Sequence, residues 1–308
     1  MVYTGSIHTP NYPEIFDKNR LMADRIEVLK TYKTYVGGKF PRSESDRTFK
    51  VTNSNDEHIA NSCRCTRKDV RDAVVVARSA FNEWRNRSAY NRGQILYRIA
   101  EMLEGRKDQF VKELELLGVK KKNAVSDIEL SIDRLIYFAG WTDKYTQVYG
   151  TINPVASSHF NFSMPEPTGI VAINAPDDVS LLSLVSLISP VIAGGNVCVV
   201  LSSEKNPLSA ISFGEVLHAS DVPGGVVNIL TGYKEEMLEH IGSHKDINAI
   251  LNTSADKKNK KLLDENASIS VKRVIHYNSD EWKNPKHENP YLIIDFQETK
   301  TTWHPVGM

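Results

Sequence analysis

The feature that most constrains the fold of this chain is a regular alternation of short apolar runs with longer segments between residues 169 and 251. The short runs are nearly continuous in Val, Ile and Leu, which is typical of strands buried on both faces of a parallel sheet. The longer segments have the length of the crossover helices that join such strands. We therefore predict an α/β, Rossmann-like, doubly wound parallel sheet. The predicted strands are 169–174, 196–201, 226–230 and 247–251, and the predicted helices are 179–192, 207–219 and 235–243.

An earlier part of the chain has the periodicity of helices that pack on such a sheet. Thr66, followed three residues later by Asp69, is typical of a helix start. The apolar residues that follow recur at helical spacing, so we expect them to form one buried face. These residues are Val70, Val74, Ala77, Phe81 and Trp84.

After Trp141 the apolar residues recur about every second position, which is the period of a strand. Residues 145–152 and 159–165 flank a turn rich in Pro, Ala and Ser, and they are predicted to form a long β-hairpin. Residues 291–296 and 299–304 are also predicted to be extended. The predicted fold therefore carries an added hairpin and a C-terminal strand.

Composition excludes several functional classes. Lys plus Arg number 38 and Asp plus Glu number 38, so the formal net charge is zero. Proteins dedicated to nucleic acids or membrane surfaces usually have a basic footprint, and we expect neither partner. The chain does not begin with a basic segment followed by an apolar run, and three cysteines are too few for a disulfide framework. These features predict a reducing, cytoplasmic location.

Several segments resemble the aldehyde dehydrogenase superfamily. They are EPTGIV at 166–171, AGGN at 193–196, VPGGVVN at 222–228 and DVRDAV at 69–74. The resemblance extends over residues 32–251. Within the superfamily, the chain most resembles the non-catalytic second units of duplicated aldehyde dehydrogenases. It implies a coenzyme-binding-type domain at 1–142 and 166–277, and oligomerisation β-elements at 143–165 and 290–308. Residues 278–289 would then be a linker that replaces the catalytic domain.

The family's reaction needs three groups around the aldehyde. A cysteine thiolate attacks, an asparagine supports the oxyanion and a glutamate acts as general base. The resemblance places Asp178 at the asparagine and Tyr277 at the glutamate. An ionised carboxylate would repel a developing oxyanion. Neither position therefore keeps the group that the reaction requires.

The resemblance also implies where NAD would lie. The family holds the adenosine ribose with a lysine–glutamate pair and the pyrophosphate near a glycine-containing turn. Leu201 falls at the lysine, whereas Glu204 keeps the glutamate, although a solvent-exposed glutamate without a ligand explains Glu204 equally well. Glu204 and Pro176 are the candidate cofactor-binding residues, by resemblance alone. Ser254 and Asn259 fall where glycines would let phosphates approach, so we expect no cofactor, with NAD or NADP as the alternative.

None of the cysteines matches the family nucleophile. Cys198 lies within a predicted buried strand and is expected to be a small core residue. Cys63 and Cys65 supply only two of the four ligands that a zinc site needs. We therefore assign no catalytic residue and no metal site.

The segment 298–307 resembles the terminal strand of a full-length aldehyde dehydrogenase, which pairs with the oligomerisation hairpin. The sequence thus predicts a pseudoenzyme that acts as a structural or regulatory subunit. It would form a homo-oligomer, or a hetero-oligomer with a full-length aldehyde dehydrogenase.

Two alternatives stay open at the level of sequence. One is an NAD(P)-dependent oxidoreductase with a non-family active site, for which Asp177, Asp178, Glu204 and Tyr277 would be the polar groups. The other is a nucleotide or metabolite sensor that uses the crevice at the carboxyl ends of the strands.

Overall fold

The computed structural model describes residues 28–277 and 281–307. Within these residues the chain forms strands and helices that are numbered in chain order. The strands are β1 Thr31–Tyr32, β2 Thr48–Thr52, β3 His58–Cys63, β4 Thr151–Asn153, β5 His159–Pro167, β6 Ile170–Asn174, β7 Val197–Leu201, β8 Val227–Leu230, β9 Ala249–Asn252, β10 Arg273–His276 and β11 Gln297–Pro305. The helices are α1 Arg67–Asn86, α2 Ala89–Gly105, α3 Lys107–Leu116, α4 Lys121–Ala139, α5 Tyr145–Tyr149, α6 Leu181–Ala193, α7 Pro207–Ala219, α8 Leu238–Ser243, α9 Lys257–Ser268 and α10 Tyr291–Ile294.

The central sheet has five parallel strands in the order β10-β9-β6-β7-β8. Every residue of β6, β7, β8 and β9 is buried, because helices cover both faces. The chain leaves β6 toward β7 and β8 and later returns to place β9 on the other side of β6. This confirms the predicted doubly wound α/β fold.

Helices form two layers around this sheet. Helix α1 packs on β6, β7 and β8 with the apolar face that its sequence predicts, and Trp84 donates its indole N–H to the Ile192 carbonyl at 3.1 Å. Helices α6 and α7 also pack on the sheet, and α2 and α4 lie against α6. Among the helices of the described residues, none combines the length and the apolar character needed to cross a membrane.

Two further sheets have three strands each, in the orders β1-β3-β2 and β11-β5-β4, and the second of these is antiparallel. Strand β11 pairs with β5 along nine residues, from Gln297 opposite Pro167 to Pro305 opposite His159. Its start is fixed to the core, since Gln297 donates to the Gly194 carbonyl and Asn196 donates to the Phe296 carbonyl. The hairpin and C-terminal strand of the predicted fold are thus present, and their role in oligomerisation stays a prediction.

The extended conformation predicted for residues 145–152 is wrong over its first part. Residues Tyr145–Tyr149 form α5, and β4 begins only at Thr151. The amide of Tyr145 bonds to the Trp141 carbonyl, so the chain continues the helical pattern of α4. Burial of the Tyr145 ring outweighs the β preference of these residue types.

The strand predicted at 291–296 is also wrong. Pro290 starts a single helical turn, α10, in which the amides of Ile293 and Ile294 bond to the Pro290 carbonyl. The fixed φ of proline suits this position, and the turn buries Ile293 and Phe296 in the core. The predicted helix 235–243 is replaced by a 3-10 turn, Lys234–Glu236, followed by α8.

The predicted domain boundaries can be placed only where the structure describes the chain. Residues 1–27 of the first segment, 278–280 of the linker and 308 of the tail lie outside the described residues. The rest of the linker includes a 3-10 turn, Pro285–His287.

Candidate functional site

Three charged residues follow neighbouring strands of the parallel sheet. Asp177 lies just after β6, Glu204 just after β7, and Lys234 just after β8. Because β6, β7 and β8 are parallel and adjacent, their carboxyl ends meet at one edge of the sheet. In sheets of this type that edge is where ligands bind.

The three residues form a closed ring of hydrogen bonds. The Lys234 ammonium donates to Oδ1 of Asp177 at 2.7 Å and also to the Ala175 carbonyl. The same Asp177 oxygen accepts the Glu204 amide at 3.0 Å. Glu204 Oε1 in turn accepts the Lys234 amide at 2.7 Å. We call Asp177, Glu204 and Lys234 the edge triad.

Burial sets the electrostatics of the edge triad. Lys234 is only 7% exposed, and loss of hydration lowers the pKa of its ammonium, while Asp177 and Glu204 act in the opposite direction. A buried ammonium that lost its carboxylate partner would be strongly unfavourable. The side chain of Asp177 is 44% exposed, so the ion pair lies at the boundary between the core and solvent.

Asp178 lies beside the triad but bonds within its own loop. Its Oδ1 accepts the Ser180 amide and the Ser183 hydroxyl at 3.2 and 2.9 Å. Burial raises the pKa of this carboxyl to about 6, and the bonds from Ser183 and Ser180 oppose the rise. Asp178 thus closes the start of α6 and presents no hydrogen-bond donor to an oxyanion when it is ionised.

Asp127 of α4 caps the same helix from the opposite side. Its carboxylate accepts the amides of Leu181 and Leu182 and the hydroxyl of Ser180. Burial raises the pKa of Asp127, while these donors lower it. The first two amides of α6 are therefore held by the Asp127 carboxylate, and the Ser183 amide by the Ser180 hydroxyl.

Both candidate cofactor residues lie at this edge. Glu204 uses Oε1 to hold the Lys234 amide. Pro176 lines a closed space between the loops after β6 and β7 whose cavity volume is about 10 Å³. That space is about the size of one water molecule. Glu204 does not line that space, and instead lines a separate cavity of about 400 Å³ together with Val179, Lys205 and Tyr233.

The loop after β9 ends in a carboxylate at the start of α9. Asp256 is the N-cap and accepts the Lys258 amide at 3.0 Å. Ser254 and Asn259, which fall where the resemblance expects glycines, have Oγ and Nδ2 3.4 Å apart. A helix N-terminus attracts anions because its amides are free, and here one of them is used by Asp256.

Tyr277, at the position that the resemblance gives to the general base, belongs to an aromatic cluster. Its hydroxyl and Nδ1 of His287 form a 2.6 Å hydrogen bond, and its ring centroid lies 5.9 Å from that of Trp282. Buried Arg134 donates to the Trp282 carbonyl at 3.3 Å. Burial raises the pKa of Tyr277, which keeps the phenol protonated at neutral pH.

All three cysteines of the sequence are buried. Burial raises the pKa of each thiol, and Cys198 lies within β7 as predicted. A thiolate is the nucleophilic form of cysteine, so these environments disfavour nucleophilic attack.

Comparison with known proteins defines the family of this chain. The sequence profile of the aldehyde dehydrogenase family matches residues 40–276. The chain is 30% identical over 279 residues to mitochondrial aldehyde dehydrogenase of Rattus norvegicus, covering 88% of this chain and 50% of that protein. It is 31% identical over 251 residues to omega-crystallin of Enteroctopus dofleini, covering 80% and 50%. The chain belongs to the aldehyde dehydrogenase family, and it spans about half the length of the curated relatives it matches.

Solved structures agree with this fold. An aldehyde dehydrogenase from Bacillus cereus in complex with NAD+ superposes with a TM-score of 0.75 at 24% identity, covering 85% of this chain and 52% of that one. Betaine aldehyde dehydrogenase from Staphylococcus aureus, also with NAD+, gives 0.76 at 24% identity, covering 80% and 49%. These neighbours support the Rossmann-like architecture.

Sequence reasoning missed Lys234 because it weighed each family position separately. The signal was present, since three charged residues each follow a predicted strand of one parallel sheet within a few positions. Asp127 was missed for another reason: it lies within a helical pattern that was interpreted only through its apolar face.

Proposed function

We propose that this chain is a non-catalytic member of the aldehyde dehydrogenase family that acts as a structural or regulatory subunit. It assembles through the β4-β5-β11 sheet, either with a second copy of itself or with a full-length aldehyde dehydrogenase. The observation that carries the proposal is the apolar face of this completed sheet.

On β4 and β5 one face of the sheet is apolar and the other is polar, while β11 adds Thr302 and Lys300 beside the apolar residues. Paired residues of neighbouring strands share a face, and Phe162 pairs with both Ile152 and Thr302. Phe160 and Met164 lie on the same face as Phe162, and Ile152, Phe160 and Met164 are 74%, 44% and 44% exposed. We call Ile152, Phe160, Phe162 and Met164 the apolar face. Exposed apolar surface of this kind favours association with another protein.

On the opposite face several polar side chains bond to one another, and Trp303 of β11 is 58% exposed there. Asn153 donates to Asn161 and Ser163 at 2.6 and 2.8 Å, and the hydroxyls of Ser163 and Thr301 are 2.8 Å apart. The contrast between the two faces supports an interface on the apolar one.

The surroundings of Tyr277 support the absence of catalysis. The tyrosine offers a protonated phenol, bonded to His287, where the family reaction uses a carboxylate as base. The buried thiols of the chain add to this, because none is exposed to an incoming aldehyde.

Assembly is tested by native mass determination of the wild-type chain and two variants. We expect the wild type to run as a dimer or larger species, or to co-elute with a co-expressed full-length aldehyde dehydrogenase. Phe160→Asp should disperse it, because a charge cannot be buried in an apolar interface without large cost. Thr299→Asp, on the polar face of β11, is the matched control and should leave the mass unchanged. A wild type that is always a dispersed monomer would overturn the proposal.

Catalysis is tested by aldehyde-dependent reduction of NAD+ and NADP+ with the pure chain. We expect no turnover, while a full-length aldehyde dehydrogenase in the same assay is active. Turnover that survives replacement of all three cysteines by serine would instead establish an oxidoreductase with a non-family site.

A further inference from the structure

A further cavity lies between the first turns of α1 and the end of α8. Its volume is about 260 Å³, which is room for roughly eight water molecules. Among the described residues, no acidic side chain lines it. Three cations of α1 and three hydrogen-bonding residues at the end of α8 do line it. We call these six residues the basic pocket: Arg67, Lys68, Arg71, His240, Ser243 and His244.

The chain neutralises the cations of the basic pocket only in part. Lys68 pairs with Glu44 at 2.5 Å, and Arg71 pairs with Asp72 at 2.8 Å. The side chains of both pairs are about half exposed, and such ion pairs contribute little. The guanidinium of Arg67 has no hydrogen-bond or ion-pair partner within the part of the chain that the structure describes. Arg67 is therefore free to bind an anion.

His244 adds an uncharged donor to the basic pocket. Its Nδ1 accepts the Asp246 amide at 3.2 Å, so the neutral ring carries its proton on Nε2. Loss of hydration lowers the pKa of His244, Asp246 opposes this decrease, and Lys272 and Arg78 add to it. The ring is therefore neutral at pH 7, and its Nε2–H has no acceptor in residues 28–277 and 281–307.

Two further cations lie close to His244 and have no carboxylate partner among the described residues. The Lys272 ammonium is 8% exposed and donates to the carbonyls of Gly242 and His244, at 2.7 Å each. Burial lowers the pKa of Lys272 to about 8, so the group is still mostly charged at neutral pH. Arg78 of α1 likewise donates to a backbone carbonyl, that of Asp246. This excess of positive charge favours an anion in the cavity.

We propose that the basic pocket binds the phosphate group of a small phosphate monoester. Guanidinium groups match the terminal oxygens of a phosphate and bind them through paired hydrogen bonds. Arg67 and Arg71 hold two of these oxygens, and the Nε2–H of His244 donates to the third.

The size of the cavity limits the rest of the ligand. A volume of about 260 Å³ leaves room for a short organic group beyond the phosphate. It lies below the range of roughly 300–1,000 Å³ that is typical of sites for larger ligands. No residue of the basic pocket belongs to the β4-β5-β11 sheet, so this inference does not depend on the assembly proposal.

Titration of the full chain with inorganic phosphate and with glycerol 3-phosphate tests the site, with chloride at matched ionic strength as the reference. The NMR signals of amides 67–71 and 240–244 should shift saturably with both phosphates and not with chloride. Shifts that do not saturate below tens of millimolar, or that leave these amides unmoved, would overturn the proposal. Binding of inorganic phosphate alone would overturn the assignment to a monoester.

Arg67→Gln should raise the dissociation constant for glycerol 3-phosphate by roughly tenfold or more, because it removes the unpaired guanidinium. Arg98→Gln is the matched control, since it removes the same charge from a half-exposed side chain on α2. Equal affinities of the two variants would mean that the ligand responds only to net charge, and the proposal would fail.

A second variant keeps the test decisive if Arg67→Gln does not fold. His244→Phe keeps a ring at this position and removes the Nε2 donor, so affinity should fall by roughly threefold to tenfold. His218→Phe, at an exposed position in the last turn of α7, is its control. An affinity equal to that of the control would contradict the placement of the phosphate in the basic pocket.

Discussion

The central parallel sheet and the β4-β5-β11 sheet differ in residue types and in what covers them. In β6 and β7 every side chain is buried, and the helices that cover them belong to the same chain. In β4 and β11 most side chains are exposed, and the apolar face has no cover among the described residues. The first sheet completes its own core. The second sheet leaves apolar side chains exposed, and burial against another molecule would stabilise them.

The difference separates the strands that packing alone holds in place from the surfaces that can contact other molecules. The buried strands are constrained by packing, which does not depend on a ligand. The carboxyl edge, which carries ligands in related architectures, is held here by the edge triad. The following variants test whether stability and assembly are separated in this way, from the largest expected effect to the smallest.

Trp84→Ala should cause the largest loss of stability. The indole is fully buried against the sheet and donates to the Ile192 carbonyl, so its removal leaves a cavity and an unpaired acceptor. We expect the free energy of unfolding, measured in urea, to fall by about 3–5 kcal/mol. Tyr97→Ala, at a position 58% exposed on α2, should change it by less than about 0.5 kcal/mol. Equal losses of unfolding free energy in the two variants would contradict the burial of the apolar face of α1 in the core.

Asp127→Ala should cost about 2 kcal/mol, because it leaves the amides of Leu181 and Leu182 without their acceptor. The same urea titration measures the loss. Asp143→Ala, at an exposed position after α4, is the control. If Asp127→Ala loses no more unfolding free energy than the control, water satisfies the two amides in place of the carboxylate.

Asp178→Asn should change the pH dependence of stability. The folded-state pKa of about 6 lies above the ordinary value of 3.8, so the folded chain binds the proton more tightly between these pH values. This carboxyl therefore stabilises the wild type fully below pH 3.8, and the contribution is lost as pH rises through about 6. Between pH 4.5 and 7.5 the variant should gain roughly 2 kcal/mol relative to the wild type, measured by unfolding at each pH. Parallel curves for the two proteins would contradict the raised pKa.

Lys300→Met should have the smallest effect. Lys300 pairs with Glu166 at 3.2 Å across the exposed β11-β5 pair, and exposed ion pairs contribute little. We expect the free energy of unfolding, measured in urea, to change by less than about 0.5 kcal/mol. A loss above about 1 kcal/mol would mean that this sheet contributes to stability on its own, which would weaken the contrast between the two sheets.

The fold could be predicted where burial alone decides the structure. Strands β6 to β9 are short apolar runs with no competing interpretation, and α7 was placed at its observed bounds. The errors fall at Tyr145–Tyr149 and Tyr291–Ile294, which are single helical turns of residue types that favour strands. Long-range packing of Tyr145 and Ile293 decides those turns, and local sequence does not contain it.

The candidate site was predictable only in part. The resemblance located Asp178, Glu204 and Tyr277, because each lies a fixed distance from a recognisable segment. It did not indicate what these residues contact. The bond from the Lys234 amide to Glu204 joins segments 30 residues apart, and only the folded sheet brings them together.

The pairing of β5 with β11 has a consequence for synthesis. Ser163 and Thr301, whose hydroxyls meet across the two strands, are 138 residues apart in the chain. At roughly 5–20 residues per second a ribosome needs about 7–28 s to make that interval. During this time the parallel sheet can form, while β5 still lacks its neighbour. The three-stranded sheet can thus be completed only on chains translated through β11, whereas the apolar face on β4 and β5 is exposed before that point.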